Sequence, residues 1–279
     1  MKNKINFDDS DVDKWLKDSK LDIYVHDHKR GLLRPITCSE RFKWTMCGGL
    51  ACDAVYWLDR VEPLLSITDI VFDVGANIGT VANWFSERTS IVYAFEPHPD
   101  NIKRIIRQNK LRRTKNINLY PYALGKDNTI MQLYVKGFHG HHSLGDVSNS
   151  PTVNKINVEV KTLDKFCEEQ GLVKIDFLKI DVEGFEEDVL TGATKMLNSQ
   201  RIGIILFEIV GSILTSCGRS TSSIFTIFLD NGYSVIDLNG RILSKEEFIK
   251  PSDGDYIATV DAEYIVNILI DSQKKEYKN

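Results

Sequence analysis

The chain has 279 residues, of which 42% are apolar and 27% charged, enough apolar material for a sizeable core in an ordinary soluble globular protein. Its 35 Lys and Arg stand against 39 Asp and Glu, a net charge of −4. The chain therefore lacks the basic excess of a surface that tracks nucleic acid, which is not expected as its main partner.

The first residues, Met1 to Lys4 followed by Asp8, Asp9, Asp11 and Asp13, contain no apolar stretch of the signal-peptide kind. Val12, Trp15 and Leu16 have helical spacing behind Ser10, and Ile23, Val25, Leu32 and Leu33 predict a short strand and turn before Pro35. Leu50, Ala54, Trp57, Leu58 and Val61 predict a helix ending at Pro63. Cys38, Cys47, Cys52, Cys167 and Cys217 form no C-x-x-C pair, so free thiols in a cytoplasmic protein are expected, not a disulfide framework or thiolate zinc site.

From Asp69 onward short β-branched runs alternate with helical periods, the pattern of βαβ units around a parallel sheet. The predicted strands are Ile70–Val74, Ile91–Phe95, Ile117–Tyr122, Ile175–Ile180 and Ile202–Phe207. Ile224–Leu229, Tyr233–Leu238 and Tyr256–Val260 are expected to finish the sheet. Helices are predicted over Ile78–Arg88, from Pro97 or Pro99 through Ile106, and over Leu163–Gln170 and Phe185–Leu197. Thr129–Val135 and Ile156–Lys161 are expected to pair as a hairpin around a mobile polar loop. The most apolar window, Ile202–Leu214, carries Glu208 and falls short of the ~20 residues of a bilayer span. No membrane association is expected, and residues 1–65 are read as an extension before a single domain at 66–279.

The most informative stretch is Asp73-Val74-Gly75-Ala76-Asn77-Ile78-Gly79, where a parallel strand ends and a helix begins. Gly75 permits a tight turn and close backbone approach, and Gly79 close packing of the helix near the sheet. Asn77 and Thr80 spoil the G-x-G-x-x-G dinucleotide fingerprint, and no G-K-[ST] follows for a P-loop. Glu96 closes the next strand, where a carboxylate about 20 residues on accepts ribose hydroxyls in dinucleotide folds. Asp73 beside the glycine turn would repel a pyrophosphate but suit a ligand with an ammonium and a sulfonium. S-adenosylmethionine fits both acids.

The segments Asp73 to Gly79, Phe95-Glu96-Pro97, Ala123-Leu124-Gly125, Thr162-Leu163-Asp164 and Lys179-Ile180-Asp181-Val182-Glu183-Gly184 occur in an order that resembles the FkbM-type methyltransferases, over about residues 66–210. The resemblance implies a class I methyltransferase fold, an α/β Rossmann-like arrangement whose mostly parallel seven-stranded sheet has its last strand antiparallel. It implies S-adenosylmethionine as donor and O-methylation of a hydroxyl on a bacterial sugar, glycan precursor or secondary metabolite. It also puts Ala123 and Leu124 on the adenine side and Ser143 near the cofactor. Asp73, Gly75, Asn77, Gly79, Glu96, Pro97, Ala123, Leu124, Ser143 and Asp181 are the expected cofactor residues.

Methyl transfer to oxygen needs positioning and proton removal. Asp181 and Glu208 end adjacent apolar strands at the carboxyl edge where open α/β sheets bind ligands, and Glu183 lies two positions beyond Asp181. These three are the leading catalytic candidates, although Glu183 can alternatively cap the helix after Gly184. Lys179 is read as a partner of one of these acids or as a substrate contact. His139 and His141, in the polar loop with His142, are alternative bases. A divalent metal is compatible with the acids but not predicted. The acceptor is expected to be a small molecule or carbohydrate, with the oligomeric state left open. The basic run Lys103, Arg104, Arg107, Lys110, Arg112, Arg113 and Lys115 favours a rival reading, an RNA methyltransferase; a module that binds cofactor without turnover is another.

Overall fold

A computed structural model describes residues 24–27, 32–35, 57–136, 142–146, 151–249 and 253–276. The chain divides into two compact units, residues 1–55 and 56–279. In the first, β1 (Tyr24–Asp27) and β2 (Leu32–Pro35) pair antiparallel, two strands where one short strand was expected before Pro35. The helix expected around Val12, Trp15 and Leu16 lies outside the described residues. The second unit runs from Tyr56 to Asn279. Here α1 (Trp57–Val61) sets Trp57 edge-on to Trp84 at 6.2 Å between ring centroids.

The second unit is built on a seven-stranded sheet. Its strands in chain order are β3 (Ile70–Val74), β4 (Ile91–Phe95), β5 (Ile117–Tyr120), β9 (Ile175–Ile180), β10 (Ile202–Ile209), β11 (Ser234–Asp237) and β12 (Gly254–Thr259). Their spatial order is β11-β12-β10-β9-β3-β4-β5, with β12 antiparallel to both its neighbours and the core pairs parallel. Val71, Phe72, Asp73 and Val74 of β3 are all buried, as are Val92, Tyr93, Ala94 and Phe95 of β4. Unbroken burial along a strand requires cover on both faces, hence apolar runs where a one-sided sheet would show alternation.

The connecting helices are α2 (Thr80–Ser86), α3 (Pro99–Arg112), α4 (Leu163–Gln170), α5 (Glu186–Thr191), α6 (Thr194–Asn198), α7 (Gly211–Ser216), α8 (Thr221–Asp230), α9 (Lys245–Ile249) and α10 (Ala262–Glu276). The Thr162 hydroxyl caps α4 by accepting the Lys165 N–H at 3.2 Å. This start turns Phe166 into an aromatic cluster, its ring centroid 4.8 Å from Tyr120, 4.9 Å from Phe95 and 5.5 Å from Phe72. A second, three-stranded sheet of order β6-β8-β7 joins β6 (Ala123–Leu124), β7 (Thr129–Lys136) and β8 (Thr152–Lys161). It contains the expected hairpin. Among the described residues no helix is long and apolar enough to cross a membrane.

Three expectations need correction. Ile224–Leu229 is not a strand but part of α8: the Ser220 hydroxyl caps that helix on the Ser223 N–H, and Ile224, Phe225 and Phe228 are buried at helical spacing. The helix expected over Phe185–Leu197 is broken into α5 and α6 at Gly192. A side chain at Gly192 would overlap the Gly125 carbonyl oxygen, and the Asp164 carboxylate accepts the Lys195 and Met196 N–H groups to start α6. The strand expected to reach Tyr122 ends at Tyr120, because the chain leaves β4 there and re-pairs as β6 with β8.

Phe166 joins rings from three strands, so its truncation leaves a cavity that those strands cannot collapse into. Phe166→Ala is expected to lower stability by about 3–5 kcal/mol, read as a reduced midpoint in urea denaturation.

Candidate active site

The chain leaves β3 through a turn at positive φ, Gly75 at 79° and Asn77 at 49°. At Gly75 a side chain would overlap the Asp181 carbonyl oxygen, so this glycine serves the close approach of the β9 exit to the β3 exit. The Phe95 carbonyl accepts the N–H groups of Gly75 and Ala76, at 3.1 and 3.0 Å. Gly79 packs on α3 and not on the sheet, since a Cβ there would meet Ile105 Cγ1 at 2.7 Å.

Glu96 closes the turn from the end of β4. Its Oε2 accepts the Asn77 N–H at 2.9 Å and its Oε1 the His98 N–H at 2.7 Å. The residue is 5% exposed, and burial, opposed by these hydrogen bonds, pushes its carboxyl up to about 7. Each carboxylate oxygen retains acceptor capacity, so the donor set and burial fit the hydroxyls of a ribose. Pro97 is half-buried, between Glu96 and His98.

Asp73 is sealed from solvent within the sheet. It lies directly opposite Lys179 in the parallel pairing of β3 with β9, it is fully buried, and its Oδ1 is 3.2 Å from Lys179 Nζ. A carboxylate with no access to water needs a compensating cation, and Lys179 supplies it. Burial raises the Asp73 pKa and Lys179 opposes that rise. Lys179 Nζ is also 3.2 Å from Asp181 Oδ2 and donates to the Gly75 carbonyl at 3.3 Å. Burial works against the lysine's charge, but Asp181 and Asp73 outweigh it and hold its pKa above the ordinary value.

Asp181, Glu183 and Glu208 come together at the carboxyl edge, each offering one oxygen within 4.8 Å of the others. Such a group can share a proton or hold a cation. The Asp181 side chain is 40% exposed. Burial first, and then the Asp181 charge, push Glu183 up to about 8 and Glu208 up to about 10. Asp255, at the start of antiparallel β12 and directly opposite Glu208, joins this acidic surround, and burial with the Asp181 charge pushes it up to about 7. No side chain among the described residues caps the helix after Gly184, and Glu186 instead braces the turn before it, its Oε1 accepting the Val182 and Gly184 N–H groups, both at 3.2 Å.

Ser143 is 1% exposed and donates its hydroxyl to the Glu183 carbonyl at 2.7 Å. Ala123 and Leu124 are buried in β6, and Leu124 belongs to the main core. His139 and His141 lie outside the described residues. His142 is described, its ring 4.4 Å from that of His98. Sequence reasoning did not assign roles to Asp255, Glu186 or the His98–His142 contact, and only strand register or tertiary packing could reveal them. On the basic helix α3, Lys103 pairs with Asp100 and Arg112 with Glu87 at the surface.

A seven-stranded sheet with one inserted antiparallel strand, and a buried acid closing the turn after its central strand, defines the class I methyltransferase architecture. Residues 73–235, more than half of the chain, match the Methyltransferase FkbM domain, and the chain belongs to that family. It is 31% identical over 153 residues to the hexuronic acid methyltransferase AglP of Haloferax volcanii, covering 50% of this chain and 56% of that protein. It is 28% identical over 159 residues to the 2-O-methyltransferase NoeI of Sinorhizobium fredii, covering 51% of this chain and 65% of that one. The chain thus spans less than two thirds of each of these relatives. Among solved structures, the methyltransferase FkbM from Methylobacillus flagellatus aligns with a TM-score of 0.40 at 18% identity, over 70% of this chain and 54% of that one.

Removing one member of the buried ion group strands the others. At pH 7 Lys179→Met is expected to cost about 3–5 kcal/mol of stability, and the double variant Asp73→Asn/Lys179→Met to recover most of it, both read by urea denaturation.

Proposed function

We propose that the chain transfers a methyl group from S-adenosylmethionine to a hydroxyl of a carbohydrate or related small molecule, in the cytoplasm. The observation that carries this reading is the buried Glu96 carboxylate, held by two backbone N–H groups on the same sheet edge as the Asp181, Glu183 and Glu208 group. The family match supports methyl transfer, and the names of the two relatives, one acting on hexuronic acid and one a 2-O-methyltransferase, support a sugar hydroxyl as acceptor. Free Cys167 and Cys217 suit a reducing compartment. RNA finds less support, since the net charge is −4 and members of the basic run on α3 are engaged in surface ion pairs.

The bound cofactor supplies an electrophilic methyl group on a sulfonium. Glu96 would hold the ribose hydroxyls, and the turn at Gly75, Ala76 and Asn77 would line the nucleoside side. Asp181, the half-exposed acid beside the Lys179 ammonium, accepts the proton of the acceptor hydroxyl. Glu183 and Glu208, with pKa values pushed to about 8 and about 10, stay protonated at neutral pH and donate hydrogen bonds to that hydroxyl or to Asp181. Lys179 fixes Asp181 from below. Pro97 and the backbone of Ala123 and Leu124 would line the nucleoside side.

Ribose hydroxyls donate better to an ionised carboxylate than to a protonated one, so ligand binding lowers the Glu96 pKa and releases a proton. Calorimetric affinity for S-adenosylhomocysteine is therefore expected to rise with pH through about 7 and to level off above it. Glu96→Gln should lose that step and about 1.5–3 kcal/mol of binding at pH 8. No binding by the folded native protein refutes the cofactor reading.

Methyl transfer from labelled S-adenosylmethionine to a panel of glycosides and uronides tests the acceptor. Asp181→Ala should lower turnover about 100-fold or more while S-adenosylhomocysteine affinity stays nearly constant. Equal losses in both quantities would reverse the roles given to Asp181 and Glu96. Binding without turnover on any acceptor would favour a module that kept the fold and lost the reaction.

A further inference from the structure

The two halves of the site are joined by a short described segment, residues 142–146, that lies across the sheet edge. Its contact with the acid half is specific: the Ser143 hydroxyl donates to the Glu183 carbonyl at 2.7 Å and itself accepts the Gly145 N–H at 3.3 Å. The carbonyl it holds belongs to a residue at φ 55°, followed by Gly184 at φ 95°. A side chain with a Cβ rarely adopts that backbone, so the turn carrying Glu183 depends on bonds from outside itself. Glu186 supplies two of them from below, through the Val182 and Gly184 N–H groups, and Ser143 supplies one from above.

The contact with the cofactor half runs through imidazoles. His142 Nδ1 accepts the Lys136 N–H at 3.1 Å, which puts the ring proton on Nε2. The ring packs at 4.4 Å, tilted 48°, on His98, whose own N–H is bonded to Glu96. The segment is fastened to β7, since Tyr134 and Ser143 exchange backbone bonds at 2.8 and 3.3 Å. Its far end is held by Asp146, which accepts from Lys136 Nζ at 3.0 Å and from the Thr152 hydroxyl at 2.8 Å. Lys136 is itself buried.

We propose that His142 and Ser143 are positioning residues that couple occupancy of the Glu96 half of the site to the geometry of the Glu183 turn. Ser143 acts here through the backbone, since its hydroxyl proton is committed to the Glu183 carbonyl and the residue is buried. A ligand that draws on Glu96 steadies His98, His98 steadies the ring of His142, and the adjacent hydroxyl fixes the turn from which Glu183 projects. The order is physically reasonable because each link is a direct contact between ordered groups, and two of the links are hydrogen bonds shorter than 2.8 Å.

The proposal rests on the cofactor reading of Glu96, and the test separates the two. Hydrogen exchange of the whole protein is followed by mass spectrometry with and without S-adenosylhomocysteine, for the native chain, Ser143→Ala and His142→Phe. The phenyl ring cannot accept from Lys136, so the segment loses the bond that sets this ring against His98. In the native protein the ligand should slow exchange in residues 73–79, 96–101 and 182–187, by roughly tenfold in the last of these. Both variants should still bind the ligand, with affinity changed less than threefold, and still protect residues 73–79 and 96–101. Residues 182–187 should lose most of their ligand-induced protection.

A purely structural role would raise exchange with and without ligand alike and leave the ligand-induced difference intact. That result, or undiminished protection of 182–187 in both variants, overturns the proposal while leaving the cofactor reading standing. Failure of the native protein to bind removes the cofactor reading and the coupling together. If Ser143→Ala does not fold, His142→Phe alone decides the matter by the same comparison.

Discussion

Lys179 is the group on which the site depends. A primary ammonium buried to 4% exposure is tolerated only because Asp73 and Asp181 lie 3.2 Å away on either side and the Gly75 carbonyl takes a third bond. Desolvating a charge costs several kcal/mol, and that cost is offset only when the partners are held rigidly. Here the rigidity comes from the parallel pairing of β3 with β9, which sets Asp73 directly opposite Lys179. One ammonium therefore ties the exit of the central strand to the exit of its neighbour, and the two halves of the site inherit their spacing from it.

The acids on the other side of Lys179 are too many for one cation. Asp181, Glu183, Glu208 and Asp255 crowd the same edge, and burial together with mutual repulsion favours protonation of several of them. A cluster of this kind holds protons near neutral pH and can both accept and donate them. The antiparallel insertion of β12 matters here, because it brings the start of that strand, with Asp255, to the edge where β10 ends with Glu208.

The aromatic packing behind the edge provides the stiffness. Phe166 touches rings from β3, β4 and β5, and the three-stranded sheet rooted at β6 extends from that corner to carry residues 142–146 back to the site. The same segment that terminates a surface hairpin thus supplies a hydroxyl to the backbone of Glu183. Gly125 and Gly192 approach so closely that neither helix α5 nor β6 could shift independently.

Much of this was legible in the chain. Apolar runs buried on both faces, the strand-turn-helix at Asp73 to Gly79, and acids at the ends of successive strands follow from local pattern and from short-range backbone requirements such as positive φ at Gly75. The run Ile224–Leu229 misled because a short apolar stretch reads the same in a buried strand and a buried helix until its cap is seen. What local pattern could not contain is pairing between distant residues. Asp73 is paired with Lys179, and Lys179 reaches Gly75 across 104 positions. Asp255 gains its place beside Glu208 only through the inserted strand, and Ser143 meets Glu183 only because a hairpin folds back. The sequence by itself determined which residues form strands and which acids stand at their ends, since those follow from side-chain periodicity along one segment. The tertiary structure decided which of those acids pair with Lys179 and which crowd one another, because buried charge is neutralised by whatever register places nearest to it.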